Sequence, residues 1–128
     1  LQGCLEDLVA QTIGQALEII VVDAASPERE GELVRAFQQH HPNVHYVRTD
    51  ERVPTSVAFD LATRMARAPY LTTANVDDRH HPEFAAKLCA VLDRHPEFGL
   101  VYADTLITRT ANETWAQHTA CLLYTSDA

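Results

Sequence analysis

The order of apolar and polar positions along the chain predicts four helices that alternate with four strands. The helical patterns place apolar residues three and four positions apart, whereas the strand patterns are short apolar or alternating runs bounded by polar residues or proline. The helices are predicted at residues 1–13, 27–39, 57–68 and 82–95, and the strands at residues 17–23, 44–48, 70–74 and 98–103. Beyond about residue 110 the pattern fades.

This alternation predicts an α/β fold with a mainly parallel sheet flanked by helices. The β-branched run at residues 19–22 is typical of a strand buried on both faces, as parallel strands are. Ligands of such sheets bind outside the carboxyl ends of the strands, so the residues there are the first candidates for a site. All four strand ends carry carboxylates: Asp23, Asp50, Asp77 with Asp78, and Asp104.

The turn at residues 75–78, Asn-Val-Asp-Asp, is the most acidic of these ends. Side chains two positions apart in an extended turn can point the same way, so Asn75 and Asp77 can share a ligand and Asp78 adds a further oxygen. Such oxygens suit a hard divalent cation, which in turn neutralises a diphosphate. The alternative is a helix-capping turn, in which Asp77 or Asp78 accepts backbone amides before Pro82.

Asp23 and Arg79 are further candidates, each with a simpler alternative. A carboxylate at the end of the most hydrophobic strand can accept hydrogen bonds from ligand N–H or hydroxyl groups. Asp23 can also do no more than start a turn towards Ser26. Arg79, next to the acidic turn, is either a phosphate contact or one half of an ordinary ion pair.

Composition narrows the class of ligand. Ten Lys and Arg residues stand against eighteen Asp and Glu among 128 residues, and this net charge of −8 disfavours nucleic acid as a partner. No apolar run approaches the ~20 residues of a membrane-spanning helix. Neither the glycine-rich dinucleotide fingerprint nor the phosphate-binding loop occurs. The three cysteines, at positions 4, 89 and 121, are too widely spaced for a zinc site and are interpreted as reduced thiols.

Taken together, several segments resemble family 2 glycosyltransferases, which have the A-type nucleotide-diphospho-sugar transferase fold. The matching segments are residues 4–12, 17–23 with Ser26, 57–71, 75–82 and 99–104. Each segment alone is weak evidence, whereas their order and spacing over residues 1–108 are fairly specific. The resemblance implies an enzyme that transfers a sugar from a nucleotide-diphosphate donor to an acceptor hydroxyl.

The resemblance also implies roles for particular residues. Asp23 falls where such enzymes contact the nucleoside base, and Asn75 and Asp77 fall on the Asp-X-Asp motif that contacts the ribose and the metal-bound diphosphate. Asp77 would then bind Mn²⁺ or Mg²⁺, with Asp78 and Arg79 in supporting positions. The implied partners are a nucleotide-diphosphate sugar and a saccharide, lipid-linked or protein acceptor. The implied location is the cytoplasm or the cytosolic face of a membrane.

Two departures from the family pattern keep other functions open. Asn75 stands where the first Asp of the motif is usual, and Ala24 stands where a second acid is usual. One alternative is therefore a non-catalytic module that only binds nucleotide sugars. The other is an unrelated Mg²⁺-binding α/β regulatory domain.

The resemblance further implies that the fold is incomplete. We expect residues 1–108 to form part of a donor-binding domain that lacks the family's first strand and its C-terminal half. No catalytic base is therefore assigned, and this segment alone is expected to be inactive. Residues 109–128 are an unassigned tail, of which residues 121–128 resemble translated sequencing-adaptor sequence and are expected to be non-native.

Overall fold

The computed structural model describes residues 1–122, with side chains described for residues 1–118. It confirms the α/β class, with helices around a parallel sheet. The helices are α1 (Gln2–Val9), α2 (Glu30–Gln38), α3 (Thr55–Met65), α4 (Phe84–Arg94) and α5 (Trp115–Leu122), and the strands are β1 (Ile19–Asp23) and β2 (Val44–Arg48). The chain divides into two compact units, one of residues 14–73 and one of residues 1–13 together with 74 onward.

The unit of residues 14–73 is built on the parallel pair β1 and β2. Their register runs from Ile19 opposite Val44 to Asp23 opposite Arg48, so both carboxyl ends lie at the same edge of the sheet. Helix α2 packs against both strands and α3 packs against β1. Val34 of α2 is fully buried, together with Ile19 and Val44 at the start of the strands. The β-branched runs therefore form the core that their burial favours.

The other unit is centred on α1 and α4. Its buried apolar residues are Cys4 and Leu5 of α1 and Ala85 of α4. The apolar positions predicted to face the core from α4 are all half-buried: Phe84, Leu88, Val91 and Leu92. Burial raises the pKa of the Cys4 thiol, which keeps it protonated at neutral pH. This unit is helical in the part described, and its remaining segments are irregular.

The predicted strands at residues 70–74 and 98–103 are wrong in the described structure, because neither segment forms a strand of the sheet. Their large apolar side chains are exposed, with Leu71 at 60%, Leu100 at 80% and Tyr102 at 85%. A strand is defined by pairing, and an extended run without a partner forms no ladder whatever its β propensity. The sheet of the described residues therefore has two strands rather than four.

Helix α2 begins at Glu30, three residues later than predicted, because Ser26 stabilises a turn instead of capping the helix. The Ser26 amide donates to Asp23 Oδ1 (2.7 Å), and its hydroxyl donates to Glu30 Oε1 (2.7 Å). Ala25 in this turn has a φ of 53°.

Two other expectations concern the ends and the membrane. The prediction of a non-native tail at residues 121–128 falls mostly on residues 123–128, which lie outside the described residues. Within residues 1–122, no helix has the length and apolar character that crossing a bilayer requires.

Candidate functional site

The acidic turn lies in the unit that contains α1 and α4, after an irregular segment and before α4. The Asp78 amide donates to the Asn75 carbonyl oxygen (3.2 Å), and Asn75 Nδ2 donates to Asp78 Oδ2 (2.8 Å). These two hydrogen bonds close the turn and occupy the Asn75 NH₂ group and one Asp78 oxygen. Asp78 thus stabilises the turn itself rather than capping α4.

Asp77 differs from Asn75 and Asp78, which hydrogen-bond to each other. Its side chain is exposed, and its carboxylate makes no hydrogen bond or ion pair among the residues that the structure describes. It borders a hollow of about 380 Å³ whose other lining residues are Thr108, Arg109, Thr110, Ala111 and Asn112. The hollow thus contains one carboxylate and one guanidinium, together with threonine hydroxyls.

Arg109 is a site residue that the sequence reasoning missed. It lies in the stretch where the hydrophobic pattern fades, so periodicity gave no reason to place it near the acidic turn. The loop that carries it contacts Arg79, whose Nη1 donates to the Asn112 carbonyl oxygen at 3.5 Å. The one available signal was the change of charge, since Arg109 is the only basic residue after position 94.

Arg79 forms an ion pair, the simpler of its two interpretations. Its Nε and Nη2 donate to Asp7 Oδ2 (2.7 Å) and Oδ1 (2.8 Å), a two-pronged contact with a carboxylate of α1. The His80 amide donates to the same Asp7 Oδ2 (2.8 Å). Burial raises the pKa of Asp7, but the Arg79 and His80 hydrogen bonds outweigh it, so the pKa lies below the ordinary value.

Asp23 belongs to the other unit and is surrounded by donors from its own unit. The residue is 5% exposed, and its Oδ2 accepts hydrogen bonds from the Tyr46 hydroxyl (2.6 Å) and from Arg48 Nη1. Its Oδ1 accepts the Ser26 amide (2.7 Å). Burial raises its pKa, and the donors from Tyr46, Ser26 and Arg48 lower it further than burial raises it. Asp23 is therefore an ionised carboxylate at the end of β1, fixed in one orientation.

Two neighbours make this arrangement around Asp23 possible. The parallel register sets Asp23 opposite Arg48, and Tyr46 stands two positions earlier on β2, on the same face. Gly31 of α2 leaves room for the phenol, because a Cβ there would lie 2.6 Å from the Tyr46 hydroxyl oxygen. Burial and the hydrogen bond to Asp23 raise the pKa of Tyr46, so the hydroxyl remains a donor.

The acidic turn fits a hard divalent cation. Carboxylate and amide oxygens are its preferred ligands, and Mg²⁺ is commonly held by one or two carboxylates plus substrate phosphates. Within the described residues, no three His, Cys, Asp or Glu side chains lie close enough together to form a metal-binding site on their own. The exposed Asp77 carboxylate therefore suits a cation that arrives with a phosphorylated ligand.

Comparisons with known proteins assign the chain to a family. The chain matches the description "Glycosyl transferase family 2" over residues 1–124. It is 29% identical over 75 residues to "Glycosyltransferase GlyG" of Streptococcus pneumoniae serotype 4, covering 59% of this chain and 25% of that protein. It is 26% identical over 113 residues to "Uncharacterized glycosyltransferase YibD" of Escherichia coli, covering 88% of this chain and 32% of that protein. No solved structure matches the chain.

The chain belongs to glycosyl transferase family 2. The resemblance found in the sequence is thereby confirmed, and the unrelated regulatory domain is excluded. The chain spans about a third or less of the length of the two relatives.

Proposed function

We propose that the chain is the donor-binding part of an enzyme that transfers a sugar from a nucleotide-diphosphate sugar to an acceptor hydroxyl. The observation that carries the proposal is Asp77, an exposed carboxylate without a partner in the described residues, at the edge of a hollow that also holds Arg109. A diphosphate needs positive charge, which a cation on Asp77 and the Arg109 guanidinium would supply from two sides.

The other residues of the turn have complementary roles in the proposal. Asn75 Nδ2 is held by Asp78, so the side-chain oxygen, Asn75 Oδ1, remains to accept a hydrogen bond from a ribose hydroxyl. Asp78 fixes the turn, and Arg79 anchors the following residues on Asp7. An amide at position 75 carries no charge, so Asp77 is the cation ligand of this turn.

Asp23 is proposed to contact the nucleoside base of the donor. Its Oδ1 accepts a single hydrogen bond, from the Ser26 amide, and a carboxylate oxygen has capacity for a second. The internal donors of Asp23 hold this oxygen in place, so a base N–H would meet an acceptor that is already oriented. Preorientation of this kind lowers the entropic cost of binding.

The proposal includes Mn²⁺ or Mg²⁺, which when bound would act as a Lewis acid on the departing diphosphate. The acceptor is a saccharide, a lipid-linked group or a protein, and the protein works in the cytoplasm or at the cytosolic face of a membrane. No described residue is assigned as the base that deprotonates the acceptor hydroxyl.

Calorimetric titration with UDP-, GDP- and TDP-sugars, each with and without Mn²⁺, tests donor binding. We expect one donor to bind more tightly with Mn²⁺ and Asp77→Ala to weaken that binding at least about tenfold, which corresponds to 1.4 kcal/mol. Asp60→Ala removes an exposed aspartate of α3 and serves as the matched control. Failure of every donor to bind, or equal binding by Asp77→Ala, would contradict the proposal.

Release of nucleoside diphosphate from the bound donor separates a transferase from a module that only binds. A coupled assay of that release is expected to be positive in a protein that contains the whole family domain, with a hydroxyl-bearing acceptor present. Tight Mn²⁺-dependent binding without any release, in a protein that contains the whole family domain, would favour the non-catalytic alternative.

A further inference from the structure

Residues 78–83, between the acidic turn and α4, form neither helix nor strand, yet side chains at the other end of the chain hold them in place. Asp7 of α1 binds the Arg79 guanidinium through both carboxylate oxygens and accepts the His80 amide. These contacts bridge more than 70 positions of sequence. A two-pronged carboxylate–guanidinium contact is among the strongest and most directional hydrogen-bonded pairs in proteins.

Gln11, two residues beyond α1, holds the same segment further along. It is only 3% exposed, and its Nε2 donates to the His81 carbonyl oxygen (2.8 Å). Its Oε1 accepts the Ala85 amide (3.0 Å) in the first turn of α4. The neighbouring Thr12 amide donates to the Pro82 carbonyl oxygen (2.9 Å). A buried amide side chain with its donor and acceptor both used specifies one backbone path.

Among the side chains described, those of residues 1–118, none outside the acidic turn forms a hydrogen bond with residues 75–77. The hydrogen bonds of the turn are those between Asn75 and Asp78, which shape the turn without fixing where it lies. Arg79 follows the turn directly, so Asp7 and Gln11 hold the chain immediately after Asp77. Gly3 of α1 completes the contact, because a Cβ there would lie 2.7 Å from Arg79 Nη1.

We infer that Asp7 and Gln11 are positioning residues that orient the Asp77 carboxylate towards its cation. The inference rests on the proposed function, in which Asp77 binds a cation and a diphosphate. Removal of Asp7 or Gln11 would leave the hydrogen bonds between Asn75 and Asp78 intact, but the turn would no longer be fixed in place. The predicted consequence is a loss of cation affinity out of proportion to any loss of global stability.

The first experiment needs no ligand. Amide hydrogen exchange in the whole chain is expected to become at least about tenfold faster at His80 in Asp7→Leu, and at Ala85 in Gln11→Leu, since neither leucine can accept a hydrogen bond. Glu6→Gln changes the adjacent, exposed acid of α1 and should leave both amides unchanged. Unchanged exchange at the His80 amide in the Asp7 variant, or at the Ala85 amide in Gln11→Leu, would overturn the inference.

The second experiment measures cation affinity with manganese pyrophosphate, a probe that carries the diphosphate without a nucleoside. Electron paramagnetic resonance of Mn²⁺ is expected to show at least about fivefold weaker binding in Asp7→Asn, and partial recovery in Asp7→Glu. Val34→Ala, a core truncation in the other unit, controls for lost stability and should bind like wild type. Gly3→Ala displaces only the tip of Arg79 and replaces Asp7→Asn if that variant does not fold.

The outcomes separate the two proposals. Wild-type binding with equal binding by Asp7→Asn and Gln11→Leu overturns the positioning role alone. If the wild-type protein does not bind manganese pyrophosphate, the cation site of the proposed function is overturned. The positioning role is then overturned as well, even if hydrogen exchange shows that Asp7 and Gln11 protect the His80 and Ala85 amides. Equal weakening in Val34→Ala and Asp7→Asn also overturns the inference, because the effect would then be one of stability.

Discussion

Asp23 and Asp77 are the same residue type at the ends of two segments that the sequence treats alike, yet their surroundings are opposite. Asp23 is 5% exposed and accepts hydrogen bonds from Tyr46, Arg48 and Ser26. Asp77 is exposed and has no partner in the described part of the chain. The fold holds the Asp23 carboxylate in one orientation, whereas no described side chain orients the Asp77 carboxylate directly.

The difference comes from pairing. Asp23 ends a strand whose parallel neighbour, β2, brings Arg48 opposite it and Tyr46 two positions before. Asp77 follows residues 70–74, which form no strand in the described structure, so no adjacent strand of a sheet supplies donors. An acidic residue at the end of a strand is thus oriented by the fold when the next strand supplies a guanidinium and a hydroxyl, and it lacks that orientation when no such strand is present.

The largest expected effect is the loss of stability in Asp23→Ala. This change leaves the half-buried Tyr46 hydroxyl and Ser26 amide without an acceptor, at about 1–3 kcal/mol each, whereas the exposed Arg48 guanidinium can turn to solvent. Asp77→Ala should change the free energy of unfolding by less than about 0.5 kcal/mol, because exposed sites rarely contribute more. Urea denaturation of both variants measures the contrast. Equal losses would show that the two carboxylates do not differ as described.

An intermediate effect is expected from Gly31→Ala, which attacks the Asp23 network without touching its polar groups. The new Cβ would lie 2.6 Å from the Tyr46 hydroxyl oxygen, so the phenol must move from Asp23. Overpacking of this kind costs about 1–3 kcal/mol. Gly99→Ala is the matched control, because nothing lies within 4 Å of its added Cβ. A Gly31→Ala variant as stable as this control would mean that Tyr46 is free to move.

The elements that the sequence predicts well are those set by neighbouring residues. Strands β1 and β2 and the helices follow from β-branched runs, proline boundaries and apolar spacing, all of which act over a few positions. The failed strands at residues 70–74 and 98–103 have the same local character. Whether they pair depends on another segment lying beside them, which no local pattern encodes.

In the candidate site, too, the features set by neighbouring residues could be predicted and those set by tertiary contacts could not. The turn at residues 75–78 was predicted because its acids are adjacent, and the ion-pair interpretation of Arg79 was also available. That Asp7 is the partner of Arg79 could not be predicted, because 72 positions of sequence separate the two residues. Gln11 and Arg109 were missed for the same reason, since each meets the turn region only through the folded chain. Tertiary proximity is the information that the pattern lacks.

The smallest and most gradual effect is expected from acid, and it follows from the lowered pKa values of Asp23 and Asp7. An aspartate in the unfolded chain titrates near pH 3.9, so between that value and the lower folded pKa the unfolded chain binds more protons. The stabilisation is complete above about pH 5 and is lost as pH falls through the folded pKa, by at most about 1.4 kcal/mol per pH unit for each carboxyl. Urea denaturation between pH 3 and 6 should show this decline, and Asp23→Asn should show a shallower one. A decline as steep in Asp23→Asn as in wild type would assign the acid sensitivity to other carboxylates.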